Sequence, residues 1–161
     1  MAALQALSIL ETPPEDGYDA LTCLAAEVCE APMAVISLLD GERLWFKSVH
    51  GLDSRTIPRQ DSFCDECIRA RAVLHVEDAA SDPRFEGCEL VVGPLGVRFY
   101  AGSPIVFGGV AIGTIGVLDT RPRTLPANAL RAFEQMAKIA AAMLRARAEA
   151  FRIFSRGAPG L

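Results

Sequence analysis

The chain has 161 residues, about half of them apolar, and this excludes a largely disordered protein and fits one domain with a real core. Its formal net charge of −4 argues against a nucleic-acid surface, which needs clustered positive charge. No apolar run is long enough to cross a bilayer, no secretory signal is evident, and five irregularly spaced cysteines fit a reducing compartment, so we expect a cytoplasmic protein.

The chain predicts a first helix from Thr12 onward. Threonine can cap a helix, Pro13 suits the first helical position, and Glu15 stands where a capping-box carboxylate belongs. One apolar stripe follows at helical spacing: Leu21, Leu24, Ala25 and Val28. We therefore expect this helix to lie on a sheet.

The next elements are two strands and a short helix. Residues 33–39 predict a buried strand, and Asp40-Gly41 predicts a turn into a strand over 43–50, whose mixed composition suits a less deeply covered face. Ser62 with Asp65 is a second capping signal and predicts a helix over 63–70. A short strand over 72–76 and a long, weakly structured connection over 78–96 follow, and such a connection is typical of a functional loop.

The second half of the chain predicts a long hairpin and a long helix. Two apolar, β-branched runs meet at Gly108-Gly109 and end at the carboxylate Asp119. Residues 126–154 predict one helix with an apolar side formed by Leu130, Phe133, Ala137, Ala140 and Leu144. Its first half can cover the sheet, whereas its second half is left to pack against a copy in a partner chain. Residues 155–161 are expected to form a flexible tail.

Four arginines near the end of the chain could form a nucleic-acid site. No aromatic residue that could stack on bases interleaves with them, so we interpret them as a solvated helix face or tail. They are Arg145, Arg147, Arg152 and Arg156.

Four motifs carry a family resemblance. They are WFKS at 45–48, SDPRF at 81–85, RFYAGSPI at 98–105 and GTIGVLDT at 113–120. In this order they resemble the GAF domain of bacterial sensory proteins over residues 6–147, and we expect the domain to span residues 6–154. The resemblance implies a single α/β (α+β) domain: a central antiparallel sheet of five or six strands, the N- and C-terminal helices on one face, and a ligand pocket under the 63–70 helix and the 78–96 loop on the other.

Aromatic residues are expected around this pocket: Phe63, Phe85, Phe99 and Tyr100. Small-molecule pockets are mostly apolar with a few placed polar groups, although aromatic residues here would equally fill a small core. Asp119 could anchor a ligand or could be satisfied by loop amides, because a buried carboxylate needs partners in either case. Arg98 could clamp an anionic ligand or could pair with a loop carboxylate.

The cysteines offer three interpretations. Cys64 and Cys67 form a Cys-x-x-Cys at a predicted helix N-terminus, which favours thiolate, but neighbouring carboxylates oppose it and buried cysteines are common. Zinc bound by Cys64, Cys67, His75 and Cys88 is disfavoured, because only one closely spaced ligand pair exists. We therefore expect no metal site and no known cofactor, only an unidentified small-molecule ligand.

Cys64 and Cys88 also resemble the cysteine arrangement of the free methionine-(R)-sulfoxide reductases, which are GAF proteins. The resemblance implies Cys88 as the nucleophile and Cys64 as the resolving thiol, although three further positions depart from that subfamily: Ser54, Tyr100 and Arg121. This enzyme is kept as an alternative. The ligand-binding residues expected for a sensor are Phe63, Cys64, Phe85, Arg98, Phe99, Tyr100 and Asp119.

The preferred interpretation is a sensory domain. The cyclic-nucleotide signature of some GAF domains and the Cys-His pair of bilin-binding ones are missing from the sequence. We expect a small-molecule or redox sensor that signals through its terminal helices to a homodimer partner or to an output domain, such as a histidine kinase of a two-component system or a diguanylate cyclase. A dimerisation module without ligand is the second alternative.

Overall fold

The structure is a computed structural model that describes Leu4 and residues 7–157. The strands are β1 (Met33–Asp40), β2 (Arg43–His50), β3 (Thr56–Pro58), β4 (Leu74–Val76), β5 (Phe99–Phe107) and β6 (Val110–Asp119). The helices are α1 (Asp16–Val28), α2 (Phe63–Ala70), α3 (Glu89–Val92) and α4 (Ala127–Arg156). The six strands form one antiparallel sheet in the order β3-β2-β1-β6-β5-β4, which confirms the predicted sheet.

The hairpin of β5 and β6 joins the two longest strands of the sheet. Gly108 and Gly109 both adopt positive φ, 57° and 79°, as a two-residue hairpin turn requires. Phe107 and Val110 pair directly across the turn, and the ladder continues to Phe99 opposite Asp119. The predicted hairpin is confirmed, and a register shift between Ile105 and Val106 interrupts its ladder close to the turn.

The sheet separates two apolar layers. On one face α1 and α4 pack against residues such as Ile36, Ala101 and Ile115. On the other face α2 and the covering loop, residues 78–96, pack against residues such as Val35 and Leu118. This arrangement of terminal helices on one face and a helix with a loop on the other is the predicted one.

The start of α1 differs from the prediction. The helix begins at Asp16 after Glu15, which makes no side-chain capping hydrogen bond. Thr12 does not cap it, because the Thr12 hydroxyl donates to the Ile9 carbonyl and accepts from Lys47 Nζ instead. The proposed capping box is therefore wrong.

The apolar stripe of α1 is also displaced. Leu24 and Val28 are 47% and 51% exposed, whereas Tyr18, Leu21 and Ala25 are buried. Leu21 and Ala25 belong to both stripes. Helical spacing alone therefore could not decide whether the buried face also contains Tyr18, as observed, or Leu24 and Val28, as predicted.

Strand β2 is more deeply buried than expected. Lys47 and Ser48 are almost fully covered although both are polar. The Ser48 hydroxyl donates to the Asp19 carboxylate and shares a hydrogen bond of 2.8 Å with the Thr22 hydroxyl. The terminal segment and α1 thus supply the polar partners that let this face be covered.

The elements around the covering loop agree with the prediction. The Ser62 hydroxyl accepts from the Asp65 amide at 3.1 Å and caps α2, and Arg71 ends the helix in the left-handed conformation. Strand β4 starts two residues later than predicted. The covering loop contains two short 3-10 turns, Ala79–Ser81 and Pro83–Phe85, and then α3.

Helix α4 extends from Ala127 to Arg156, two residues beyond the predicted end. Its buried residues are Phe133, Met136, Ala137, Ala140, Ala141 and Leu144. Predicted core residue Leu130 is only partly buried. Residue 6, where the expected domain begins, and residues 158–161 of the expected tail lie outside the described residues. Within the described part, no helix has the length and apolar character of a membrane span.

Candidate functional site

Aromatic side chains fill the layer beneath the covering loop. Phe63 of α2 stacks on Tyr100 of β5 with ring centroids 4.9 Å apart and planes within 3°. Phe85 of the covering loop lies 4.5 Å from Phe63, tilted by 42°. All three are almost completely buried. We call this set the aromatic layer.

Tyr100 places its hydroxyl in an unusual environment. Its ring lies over the paired glycines Gly102 and Gly116, and a Cβ at Gly116 would come within 2.7 Å of the hydroxyl oxygen. Among the described residues this hydroxyl is buried without a hydrogen-bond partner, although Thr114 and Cys64 are close by. Leaving such a group unsatisfied costs about 1–3 kcal/mol.

Two further hydroxyls lie next to the aromatic layer. Ser37 and Thr114 share a hydrogen bond of 2.7 Å across β1 and β6. The Cys64 thiol lies beside both hydroxyls and beside Tyr100. The layer is therefore apolar with a small polar centre on the sheet.

The cysteines of this region are reduced and buried. Cys64, Cys67 and Cys88 form no disulfide and are buried, whereas Cys23, also a free thiol, is exposed. Burial raises the pKa of the Cys64 thiol, and it raises the pKa of Cys67 and Cys88 as well. In all three, burial favours the neutral thiol over the more reactive thiolate.

The four residues considered for zinc do not converge. His75 accepts a hydrogen bond at its Nε2 from the Leu125 amide and lies edge-on to Phe99, on the terminal-helix face. The described residues contain no group of three or more His, Cys, Asp or Glu side chains that could hold a metal ion.

Arg98 pairs with the covering loop. Its guanidinium donates to both carboxylate oxygens of Asp78, at 2.7 and 2.8 Å. These hydrogen bonds hold the pKa of Asp78 below its usual value. Arg98 thus pairs with a loop carboxylate, one of its two expected roles. The pair connects the first turn of the covering loop to the start of β5.

Phe99 and Asp119 lie apart from the aromatic layer. Neighbouring residues of a strand point to opposite faces, so Phe99 packs with the terminal helices while Tyr100 packs under the loop. Asp119 pairs directly with Phe99 and is buried. Its carboxylate accepts from the Arg121 amide at 3.2 Å and from the Arg123 guanidinium at 3.3 Å.

Arg123 explains why this carboxylate is buried. The same guanidinium donates to the carbonyls of Cys29 and Glu30 at the end of α1 and lies 5.4 Å above the Phe99 ring. Asp119 therefore holds the arginine that closes α1 onto the sheet. The structure brings together Phe63, Cys64, Phe85 and Tyr100, and it places Arg98, Phe99 and Asp119 outside that group.

A polar assembly between the terminal helices was not predicted. The buried Lys47 Nζ contacts Glu15 Oε2 at 2.5 Å, Thr12 Oγ1 at 2.8 Å and the Pro13 carbonyl at 2.8 Å. Glu15 also accepts from Arg147 of α4 at 3.1 and 3.2 Å. The one signal in the sequence is a lysine inside the apolar strand motif WFKS.

Arg147 completes this polar assembly. We call the contacts of Lys47, Glu15 and Arg147 the clamp. Its remaining donors bind the carbonyls of Leu7 and Ser8 at 2.9 and 3.0 Å. Arg147 follows Leu144, the last buried residue of α4, by three positions. Polar contacts thus hold the helix close to the end of its apolar packing, to which Ala148 still contributes.

A family model for the GAF domain matches residues 13–144. The chain belongs to the GAF domain family. The antiparallel sheet and the placement of its terminal helices are those of the GAF fold.

Part of a larger enzyme is similar to this chain in sequence. A cyclic di-GMP phosphodiesterase of Pseudomonas aeruginosa is 38% identical over 123 residues, 76% of this chain. The matched segment is 21% of that protein, so this GAF domain spans about a fifth of its length.

Two solved structures illustrate the fold. The GAF domain of PixJ from Thermosynechococcus elongatus has a TM-score of 0.71 at 12% identity, covering 98% of this chain and 95% of its own. A free methionine-R-sulfoxide reductase from Neisseria meningitidis, solved with its substrate, has a TM-score of 0.66 at 19% identity, covering 93% and 87%. At these identities the likeness establishes the shared fold.

Proposed function

We propose that this chain is a regulatory GAF domain that passes its state through α4 to a dimer partner or to an output domain. The observation that carries the proposal is the length of α4. The helix has 30 residues, or about 45 Å, and its last buried residue is Leu144. Beyond Leu144, Ala148 still packs partly against the domain core, and residues 149–156, about two turns, are exposed.

This segment continues an apolar stripe on the outer side of α4, of which Met143 alone still packs partly against the domain core. Ile139 and Ile153 are 49% and 70% exposed. The stripe follows the 4-3-4-3 spacing of a two-helix seam: Ile139, Met143, Ala146, Ala150 and Ile153. We propose that two copies of α4 pair along it in a homodimer.

Analytical ultracentrifugation tests the pairing. The wild-type domain should sediment as a dimer at micromolar concentration, and an Ile139→Glu/Ile153→Glu variant should be monomeric. Arg152→Glu, which places the same side chain on the other flank of the helix, should remain dimeric. A monomeric wild type, or a dimer that survives the double substitution, contradicts this seam.

The output domain is proposed from the family and from the relative. The Pseudomonas aeruginosa protein is a cyclic di-GMP phosphodiesterase of which the matched segment is a small part. A histidine kinase, a diguanylate cyclase or such a phosphodiesterase would receive the signal at the end of α4.

We propose the aromatic layer as the sensing site for a small molecule. The support is the Tyr100 hydroxyl, which is buried without a partner beside the Ser37–Thr114 pair and would gain a hydrogen bond from a polar ligand. A cleft of about 600 Å³ is lined by Leu52, Ile57, Leu90 and Leu95, which belong to or pack against the same apolar cluster as the aromatic layer. A ligand entering there would have to displace Phe85 and the covering loop.

Native mass spectrometry with hydrogen exchange tests the sensing site. A non-covalent mass on the purified domain, absent from Tyr100→Ala, should accompany altered exchange in the covering loop and in α4, because a ligand shifts only a state that it binds better. Arg98→Ala frees the loop and should also weaken binding. Unchanged ligand mass in both variants would move the site elsewhere.

The filled aromatic layer favours a second candidate, a dimerisation module that binds no ligand. Its three rings already pack against one another. A stable dimer whose native mass shows no bound ligand would support this candidate over the sensor, provided that hydrogen exchange is the same in every extract tested.

A further inference from the structure

A second cavity lies on the terminal-helix face, remote from the aromatic layer. Edge strand β4 pairs with β5 only from Tyr100 to Gly102, so β5 has no described strand neighbour on that side from Ser103 onward. Helix α4 runs along this open edge, and residues 71–73 close one end. The groove between them has a volume of about 320 Å³, at the small end of the range for ligand pockets.

The floor of the groove is apolar with one hydroxyl. Pro104 of β5 and Ala137 and Ala141 of α4 are buried and line it. Ser103 lines it too and is only 4% exposed, yet its hydroxyl has no hydrogen-bond partner within the described chain. Among the described residues the Tyr100 hydroxyl is the one fully buried side-chain polar atom without a partner. The Ser103 hydroxyl therefore keeps access to solvent, and the groove that it lines provides that access.

The rim of the groove is cationic. Lys138 and Arg145 line it from α4, and neither makes a hydrogen bond or ion pair with any residue described by the structure. Arg71 lines the opposite side and uses one guanidinium nitrogen to bind the Gly109 carbonyl at 2.8 Å. Glu134 is the one carboxylate among the lining residues, so the groove carries a net charge of about +2 in a chain of net charge −4.

We propose that this groove binds a small organic carboxylate with an apolar body. Lys138 and Arg145 would hold the carboxylate, the Ser103 hydroxyl would donate a hydrogen bond to it, and the body would cover Pro104, Ala137 and Ala141. Such a ligand bridges β5 and α4 just before the helix leaves its core at Leu144. The site is independent of the aromatic layer and goes beyond the proposed function.

The groove also leaves the proposed dimer intact. At 100° per residue, the groove residues of α4 lie on one flank of its buried face, and Ile139, Met143 and Ala146 lie on the other. A bound carboxylate and a paired α4 can therefore coexist.

Titration of the ¹⁵N-labelled protein with octanoate tests the proposal. Saturable shifts should appear at the amides of Val73, Ser103 and Lys138, with a Kd of about 10 mM or tighter. Octanamide, which has the same body without the charge, should bind at least threefold more weakly. Lys138→Gln/Arg145→Gln should weaken octanoate binding about tenfold, since it removes two of the three cations that line the groove.

The matched control is Arg131→Gln. Arg131 is exposed on α4 outside the groove and should leave the octanoate affinity unchanged. The proposal is overturned if octanoate causes no saturable shift, if the shifts map to another surface, or if octanamide binds equally well. It is also overturned if the double variant binds octanoate like the wild type while its amide spectrum shows an intact fold.

Discussion

Replacing Glu15 by Gln should destabilise the domain through Lys47. The Lys47 side chain is 0% exposed and its ammonium contacts Glu15, Thr12 and Pro13. Gln keeps the size of Glu and removes its charge, which leaves a buried cation with two neutral partners. The same change releases Arg147 from its carboxylate.

The size of the effect follows from the burial of the pair. Removing one partner of a fully buried ion pair costs about 3–5 kcal/mol. Glu15 is 42% exposed, so solvent screens part of the interaction and we expect a loss of about 1–2 kcal/mol. Lys47→Met removes the charge and keeps an apolar stem, which should cost only about 0–1 kcal/mol.

A double-mutant cycle measured by urea unfolding separates the two contributions. Glu15→Gln in the Lys47→Met background should cost less than in the wild type, by about 1 kcal/mol, because no buried charge remains to be left unpaired. Arg147→Gln is the control for the second contact of Glu15 and should show little coupling to Lys47→Met. If Glu15→Gln costs the same in both backgrounds, the buried lysine does not depend on this carboxylate and the reasoning fails.

Three other predictions use the remaining contacts. Tyr100→Phe should stabilise the domain by up to about 1 kcal/mol in urea unfolding, since it removes an unpartnered buried hydroxyl; a loss of stability would reveal a hydrogen bond to it. Arg98→Gln should destabilise the domain at neutral pH. The pKa of Asp78 is lowered in the folded state, so the stabilisation by the Arg98–Asp78 pair is present above the ordinary pKa of about 3.9. It is lost as the pH falls through the lower folded pKa. The stabilities of the wild type and Arg98→Gln should therefore converge in acid. A native thiol titration should show one fast cysteine, Cys23, and four slow ones; a fast reaction at Cys88 would instead support the reductase alternative, which Cys88→Ser and an assay of methionine-(R)-sulfoxide turnover would then test.

The elements that the sequence predicted well have local causes. The Ser62 cap, the Gly108-Gly109 turn and the apolar runs of β1, β5 and β6 each depend on residues a few positions apart. Local signals of this kind determine where an element starts and ends, and here they also identified the family through its motif order.

The candidate site was predicted less well because it depends on which face each side chain takes. Strand alternation puts Phe99 and Tyr100 on opposite faces, and direct pairing puts Asp119 on the face of Phe99. This separation was available from the sequence once both strands were assigned. The aromatic layer itself was found, since Phe63, Phe85 and Tyr100 all meet under the covering loop.

The partners of Lys47 could not be found from its strand. They come from residues 12–15, more than thirty positions earlier, where a capping motif suggested a different role for Thr12 and Glu15. A polar residue in an apolar strand indicates a distant partner without naming it. The same holds for Arg147, whose contacts join the two ends of the chain.

Glu15 connects the buried Lys47 to the helix that is proposed to carry the signal. It touches Lys47 on the sheet and Arg147 on α4, so a displacement of the sheet relative to the terminal segment changes the restraint on the helix. Arg147 adjoins Ala146, a member of the proposed seam, close to the point where burial in the domain ends. In the proposed dimer the clamp would therefore set the rotation of α4 about its axis, and with it the side of the helix that meets the partner.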